Sequence, residues 1–251
     1  MNERILYIEA PDGISGDMTL GALIDLGVDV QAIRAELDKL VPDEYSIEPR
    51  PFERNGIHGI NLDVFVSEKT DEHSHRHFSD IKEMIEKSGI STRARELALA
   101  IFDVIAEAEA AVHRIPKERV AFHEVGAMDS IIDVVGVAIA VDLLGVKKFY
   151  CSAPRDGSGT IVCQHGVIPV PAPAVMKMAE GAGIPIVIEG DVDTEMITPT
   201  GFGIIKGLGA KFEPHLGIMP MKTGYGFGKR DTGRLGAVRV TIGEKHEEAN
   251  N

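Results

Sequence analysis

The segment Phe122-His123-Glu124-Val125-Gly126-Ala127-Met128-Asp129-Ser130-Ile131-Ile132-Asp133 holds the densest set of ligating side chains in the chain. Asp129 and Asp133 are four residues apart, so on a helix they share one face about 5–6 Å apart. Like charges at that spacing cost a few tenths of a kcal/mol unless a cation or a hydrogen-bond donor lies between them. The same letters also fit a helix that Asp129 caps and whose dipole Asp133 complements. No second histidine follows, so this is not a His-Glu-x-x-His zinc helix. His73, His75 and His77 alternate with Ser74 and Arg76, and in an extended chain residues i, i+2 and i+4 point the same way. Three imidazoles on one side suit Ni²⁺, Zn²⁺ or Cu²⁺, although a solvated loop can carry histidines too. A tract of that kind suits capture and delivery of a metal better than rigid catalysis.

Four further groups carry weaker signals. Asp12 and Asp17 bracket Gly13-Ile14-Ser15-Gly16. Amides at such a turn can hold an anion, and the carboxylates can hold Mg²⁺ against a phosphate, but a capped helix after a turn reads the same. His165 beside Gly166 suits a ligand, an acid/base or a hydrogen-bonded turn. Thr198-Pro199-Thr200-Gly201 opens a helix with Thr200 as the expected cap. Gly224-Tyr225-Gly226-Phe227-Gly228-Lys229-Arg230 reads as a glycine-rich turn presenting basic residues to an anion. There is no P-loop, no dinucleotide-binding fingerprint and no nucleophile elbow, and neither Cys151 nor Cys163 has a context that argues for activation.

The elements that must position these groups follow from periodicity. Ile5-Leu6-Tyr7-Ile8 reads as a short buried strand. It runs through the Pro11–Asp17 turn into a helix to about Leu26, with Ser15 or Asp17 as cap. An amphipathic helix with Ile33, Leu37 and Leu40 on one face comes next. Alternation from Tyr45 to Val66, broken at Asn55-Gly56, predicts a hairpin. Residues 68–80 read as a histidine-bearing loop. Helices are expected at about 79–88, 92–113 and 129–145, with a strand at Val120–Phe122 between them. Short helices near 173–180 and 201–208 and a closing hairpin over Gly224–Gly243 complete the pattern. The divisions are an α/β segment over 1–67, the loop 68–80, a main body over 81–243 and a polar tail over 244–251. The interleaving gives the class α/β or α+β, mixed sheets with packed helices, with strand order left open.

Composition bounds the function. The chain has 251 residues, with 26 Lys plus Arg against 39 Asp plus Glu and a formal net charge of −13. That field repels phosphate backbones and anionic lipid and attracts divalent cations, so neither a nucleic acid polymer nor a membrane is an expected partner. No apolar run approaches the roughly 20 residues of a membrane span, and the start is no signal peptide. Two cysteines exclude a disulfide framework, and the expected compartment is the cytoplasm.

Taken together, several segments resemble one family, the nickel-insertion proteins of the lactate racemase maturation system. They are Gly13-Ile14-Ser15-Gly16-Asp17-Met18, the histidine tract before Phe78-Ser79-Asp80-Ile81, and Ala106-Glu107-Ala108-Glu109-Ala110-Ala111-Val112-His113. Phe122–Ala127 with Asp129-Ser130 and Asp133, His165-Gly166 with Pro169–Ala174, and Thr198-Pro199-Thr200-Gly201 follow in family order. The resemblance implies nickel insertion into a pyridinium bis(thiocarboxylic acid) mononucleotide, which forms the nickel-pincer nucleotide cofactor. A metal–carbon bond is made, and CTP is consumed with Mn²⁺ or Mg²⁺.

By the same resemblance His123, Glu124 and His165 are the expected acid/base groups, one of which accepts the proton lost on metallation. Asp129 and Asp133 would hold metal, Asp12, Asp17, Thr198 and Thr200 would bind the nucleotide, and His73, His75 and His77 would feed nickel. Two departures stand out: the histidine run is short, and full-length relatives continue into a CTP-binding domain beyond the position of Asn251. The expected partners are therefore the substrate nucleotide, a CTP-binding C-terminal domain or chain, and a client such as lactate racemase; a homo-oligomer is admitted. A non-catalytic nickel chaperone or subunit and a metal-dependent hydrolase are the competing readings.

Overall fold

The computed structural model describes residues 4–41, 45–67, 76–122 and 125–246. The strands are β1 (Arg4–Glu9), β2 (Tyr45–Arg54), β3 (Ile57–Val66), β4 (Arg76–His77), β5 (Ala121–Phe122), β6 (Lys148–Cys151) and β7 (Arg155–Asp156). They continue as β8 (Thr160–Cys163), β9 (Gly166–Pro169), β10 (Val187–Ile188), β11 (Lys211–Phe212), β12 (Ile218–Phe227) and β13 (Ala237–Lys245). The helices are α1 (Gly16–Asp25), α2 (Val30–Leu37), α3 (Phe78–Lys87), α4 (Thr92–His113), α5 (Met128–Leu144), α6 (Pro173–Ala179) and α7 (Pro199–Gly207).

Seven strands form one mixed sheet in the order β11-β6-β1-β13-β12-β3-β2. β6 is parallel to β1 and to β11, and β12 is parallel to β3, whereas β13 lies antiparallel between β1 and β12. The carboxyl ends of β1, β3, β6, β11 and β12 therefore share one edge of the sheet. That is the edge at which α/β proteins commonly bind ligands. Asn55 and Gly56 adopt positive φ between β2 and β3, as a two-residue hairpin turn requires.

α1 lies directly on β3, β12 and β13, and α5 packs on α1. α5 is apolar nearly all round, from Met128 to Val141, because α1, α2, α4 and α7 cover it. Gly226 explains the closeness of α1 to the sheet: a Cβ there would stand 1.8 Å from the Met18 carbonyl oxygen. The glycines expected in a basic turn thus belong to β12, and only Gly228-Lys229-Arg230 lies beyond its end. Residues expected as a loop up to Asp80 are described from Arg76, where β4 pairs with β5 and leads straight into α3. Likewise β13 runs to Lys245, two residues beyond Gly243, because it pairs with β1 as well as β12. Among the described residues no helix is long and apolar enough to cross a membrane.

Candidate functional site

β1 ends at Glu9, and the chain turns through Pro11–Gly13 into α1. Ser15 is the N-cap, its hydroxyl accepting from the Met18 amide. The Ser15 hydroxyl also donates to Asp17, whose Oδ1 takes the Met18 N–H at 2.9 Å. α7 begins at the same place: Ile14 donates to Met196 O at 2.9 Å, and Thr198 N–H donates to Ile14 O at 3.0 Å. Its cap is Thr198, whose hydroxyl accepts the Gly201 N–H at 3.1 Å. The expected cap, Thr200, lies inside the helix and hydrogen-bonds to the Thr198 hydroxyl at 2.9 Å. Pro199 takes the first helical position, where a missing N–H costs nothing, and so moves the cap one residue ahead of it.

Between these two helix starts lies a cleft of about 220 Å³ whose lining includes the charged side chains of Asp12, Asp17, Glu195, Lys229 and Arg230. The carboxylates and cations are interleaved. Lys229 Nζ is 3.9 Å from Asp17 Oδ2 and 3.2 Å from Asp63 Oδ1. Arg230 donates to the Glu195 carbonyl at 2.8 Å and lies 3.5 Å from its carboxylate. Asp12 receives the Gly236 N–H at 3.2 Å and lies 3.9 Å from Arg234. Two helix N-termini and the ion-paired side chains of Lys229 and Arg230 thus face this cleft together with three carboxylates.

Behind Asp17 stands Asp133, one turn into α5 and pressed against the start of α1, where a Cβ on Gly16 would come within 2.8 Å of its own Cβ. Its Oδ1 is buried without a hydrogen-bond partner among the described residues. Burial, then the neighbouring Asp17 and Asp129, push the Asp133 carboxyl well above the usual carboxylate range, and Lys229 pulls the other way. An orphaned buried carboxylate oxygen beside a second carboxylate fits an all-oxygen site for a hard divalent cation such as Mg²⁺ or Mn²⁺. Asp129 stays exposed in the first turn of α5, with one oxygen taking the Ser130 N–H at 2.6 Å. The cap position is Ala127, so Asp129 is not the cap.

A second cleft of about 140 Å³ adjoins the first and shares Glu195 with it; Pro199 lines one and Thr198 the other. Its walls are mainly apolar, with Phe122, Val125, Ile161 and Ile168, and it also holds His113, Cys163 and His165. Sequence reasoning singled out His165 but missed His113 and Cys163, which come from a helix end and a hairpin brought together only by tertiary packing. His123, Glu124, His73 and His75 lie outside the described residues; Phe122 and Val125, which flank the first two, both line this cleft. His77 is exposed at the start of α3, its backbone N–H held by Asp80 at 3.0 Å. Among the described residues no three histidine, cysteine or acidic side chains already surround one point closely enough to hold a metal ion.

One residue that the sequence did not single out holds both clefts in register. Asp156 is 0% exposed, and its Oδ1 accepts N–H groups from Gly157, Met196 and Ile197 at 2.9, 2.7 and 3.1 Å. Burial pushes its carboxyl up, while those three donors and Arg230 hold it back. Asp156→Ala would strand these buried donors, so a loss of about 3 kcal/mol in urea-denaturation stability is expected. A loss under about 0.5 kcal/mol would show that the 195–197 segment is held elsewhere.

Residues 6–251 match the family model described as nickel insertion protein. The chain is 45% identical over 251 residues to the pyridinium-3,5-bisthiocarboxylic acid mononucleotide nickel insertion protein of Acetivibrio thermocellus, covering 98% of this chain and 61% of that one. The protein of the same description from Lactiplantibacillus plantarum is 45% identical over 260 residues, covering 96% and 62%. That from Staphylococcus epidermidis is 41% identical over 237 residues, covering 94% and 58%. The chain thus spans about three fifths of the length of these relatives. No solved structure matches it.

Proposed function

The chain belongs to the nickel insertion protein family, and on that premise we propose that its two clefts bind a pyridinium-3,5-bisthiocarboxylic acid mononucleotide and hold it while nickel enters the ring. The observation that carries this reading is that two clefts sharing Glu195 differ in their side chains, Asp12, Asp17, Lys229 and Arg230 lining one and Phe122, Val125, Ile161 and Ile168 the other. The phosphate end of such a nucleotide would sit in the charge-lined cleft, with Lys229 and Arg230 as donors. Thr198 and Thr200 lie at the start of α7, and Asp12 bounds the pocket beside Arg234. The ring matches the apolar cleft, where exclusion of water strengthens every polar contact made to it.

Asp17 and Asp133, with Asp129 nearby, would hold a Mg²⁺ or Mn²⁺ ion, which supplies positive charge beside the phosphate. One of His123, Glu124 and His165 would accept the proton released when a ring carbon is metallated. His73, His75 and His77 then serve as a nickel-feeding tract. CTP with Mn²⁺ or Mg²⁺, a CTP-binding C-terminal domain or chain, and a client enzyme such as lactate racemase complete the reading, as does a place in the cytoplasm.

Calorimetric titration with the mononucleotide tests the reading. Lys229→Ala combined with Arg230→Ala should weaken binding by at least about tenfold, equivalent to about 1.4 kcal/mol, through loss of charge-assisted contacts to phosphate. Ala174→Arg, which fills the apolar cleft, should weaken it as much. Unchanged affinity in both variants would refute the assignment of the clefts.

A further inference from the structure

We propose that Cys163, His165 and His113 form a nickel-presenting site in the apolar cleft. β8 and β9 form a two-stranded hairpin in which Cys163 pairs with Gly166, leaving Gln164 and His165 as the turn. Gly166 has φ +86, the left-handed conformation that lets so short a turn close. The hairpin turns Ile161, Cys163, His165 and Ile168 toward the cleft, with His165 and His113 exposed at its mouth, whereas Val162 and Val167 lie on the other face, 83% and 68% exposed. Opposite stands the last residue of α4, His113, its ring stacked on that of His165 with centroids 4.9 Å apart. Glu109, one turn earlier, places Oε2 3.3 Å from His113 Nε2 and so orients that imidazole.

The spacing is close to what a metal needs. Cys163 Sγ lies 3.9 Å from His165 Nδ1. A metal held by a thiolate at about 2.3 Å and an imidazole at about 2.0 Å puts sulfur and nitrogen roughly 3.1–3.6 Å apart, depending on the bond angle. A shift of less than about 1 Å therefore brings both onto one ion, and rotation of the His113 ring off its stack adds a third ligand. On binding, the Cys163 thiol loses its proton to solvent as the nickel–sulfur bond forms.

Ligand softness sorts the metals. Thiolate with imidazoles selects a borderline ion such as Ni²⁺, whereas the oxygens of Asp17 and Asp133 suit Mg²⁺ or Mn²⁺. The two metals would thus be kept apart on either side of Glu195, with nickel on the side taken by the ring. That placement rests on the proposed function; the binding of nickel by the cluster does not.

Cys151 is buried in β6, where burial pushes its thiol up to about 12, and it is the one other cysteine in the chain. A nickel–thiolate charge-transfer band therefore reports Cys163. The experiment titrates NiCl₂, without nucleotide, into the full chain carrying His73→Asn, His75→Asn and His77→Asn, which removes the tract. The expected result is a near-ultraviolet band saturating at one nickel per chain. Cys163→Ser should abolish it and Cys151→Ser should leave it, while His165→Ala and His113→Ala should each weaken nickel binding at least about tenfold. MnCl₂ should produce no band. Absence of the band at saturating nickel in folded protein, or its persistence in Cys163→Ser, would overturn the site. Because the titration contains no nucleotide, loss of the band overturns the nickel site alone, and the mononucleotide titration of the unsubstituted chain tests the clefts separately.

Discussion

Asp133→Asn is expected to make the metal-free protein more stable at neutral pH and above and, on the function proposed above, to lower nickel insertion. In the folded chain the Asp133 carboxyl is raised by burial and by Asp17 and Asp129, and its Oδ1 has no partner among the described residues. A raised carboxyl contributes stability that is fully present below the unfolded aspartate range near pH 3.9 and is lost as pH rises through the folded value. Asparagine carries no charge to bury, so the variant should gain about 1–3 kcal/mol above that window and show a flatter pH profile. Adding Asp129→Asn should leave the fold intact and lower insertion by roughly two orders of magnitude or more, the scale of losing an electrostatic contact used in the reaction. Mn²⁺ should stabilise the native chain by binding the folded state and do so less in the double variant. Thermal melts across pH with and without Mn²⁺, alongside the insertion rate, check this. A double variant that inserts nickel unimpaired would end the role assigned to these aspartates.

The second large effect is structural. Gly226→Val should destabilise the chain by about 3 kcal/mol or more, beyond the usual range for overpacking, because the obstacle is backbone rather than a yielding side chain. The new Cβ would meet Met18 O at 1.8 Å and the Ala22 amide at 2.5 Å, forcing α1 off the sheet. Since α1 carries Ser15 and Asp17, nucleotide binding should fall with stability. Chemical denaturation measures the first and titration the second; a near-native midpoint would show that α1 does not sit as described.

These two residues also show what could be read in advance. Asp129 and Asp133 were legible because an i, i+4 carboxylate pair is a local pattern. That Asp133 would face the start of α1 was not, since this depends on packing between distant helices. The Asn55-Gly56 hairpin, the Ser15 cap and the helix 92–113 were visible because turn chemistry, capping and 3.6-residue periodicity are local signals. Gly224 and Gly226 read as turn glycines yet lie in β12, because a glycine that admits a helix backbone has the same letter as one that bends a loop. Asp156 has nothing in its neighbourhood to mark it, as two of its three donors lie 40 and 41 residues ahead. His113 and Cys163 escaped notice for the same reason, being near neither each other nor His123 in sequence.

The most direct test of the central claim is the mass of the mononucleotide after incubation with the purified 251-residue chain, Ni²⁺, Mn²⁺ and CTP. It would be run alone and with the C-terminal part of a full-length relative added. The account predicts a product heavier by one nickel that depends on this chain and disappears with Asp129→Asn/Asp133→Asn. A folded chain that yields no nickel adduct in either arm, or an adduct formed equally well by the double variant, would contradict it.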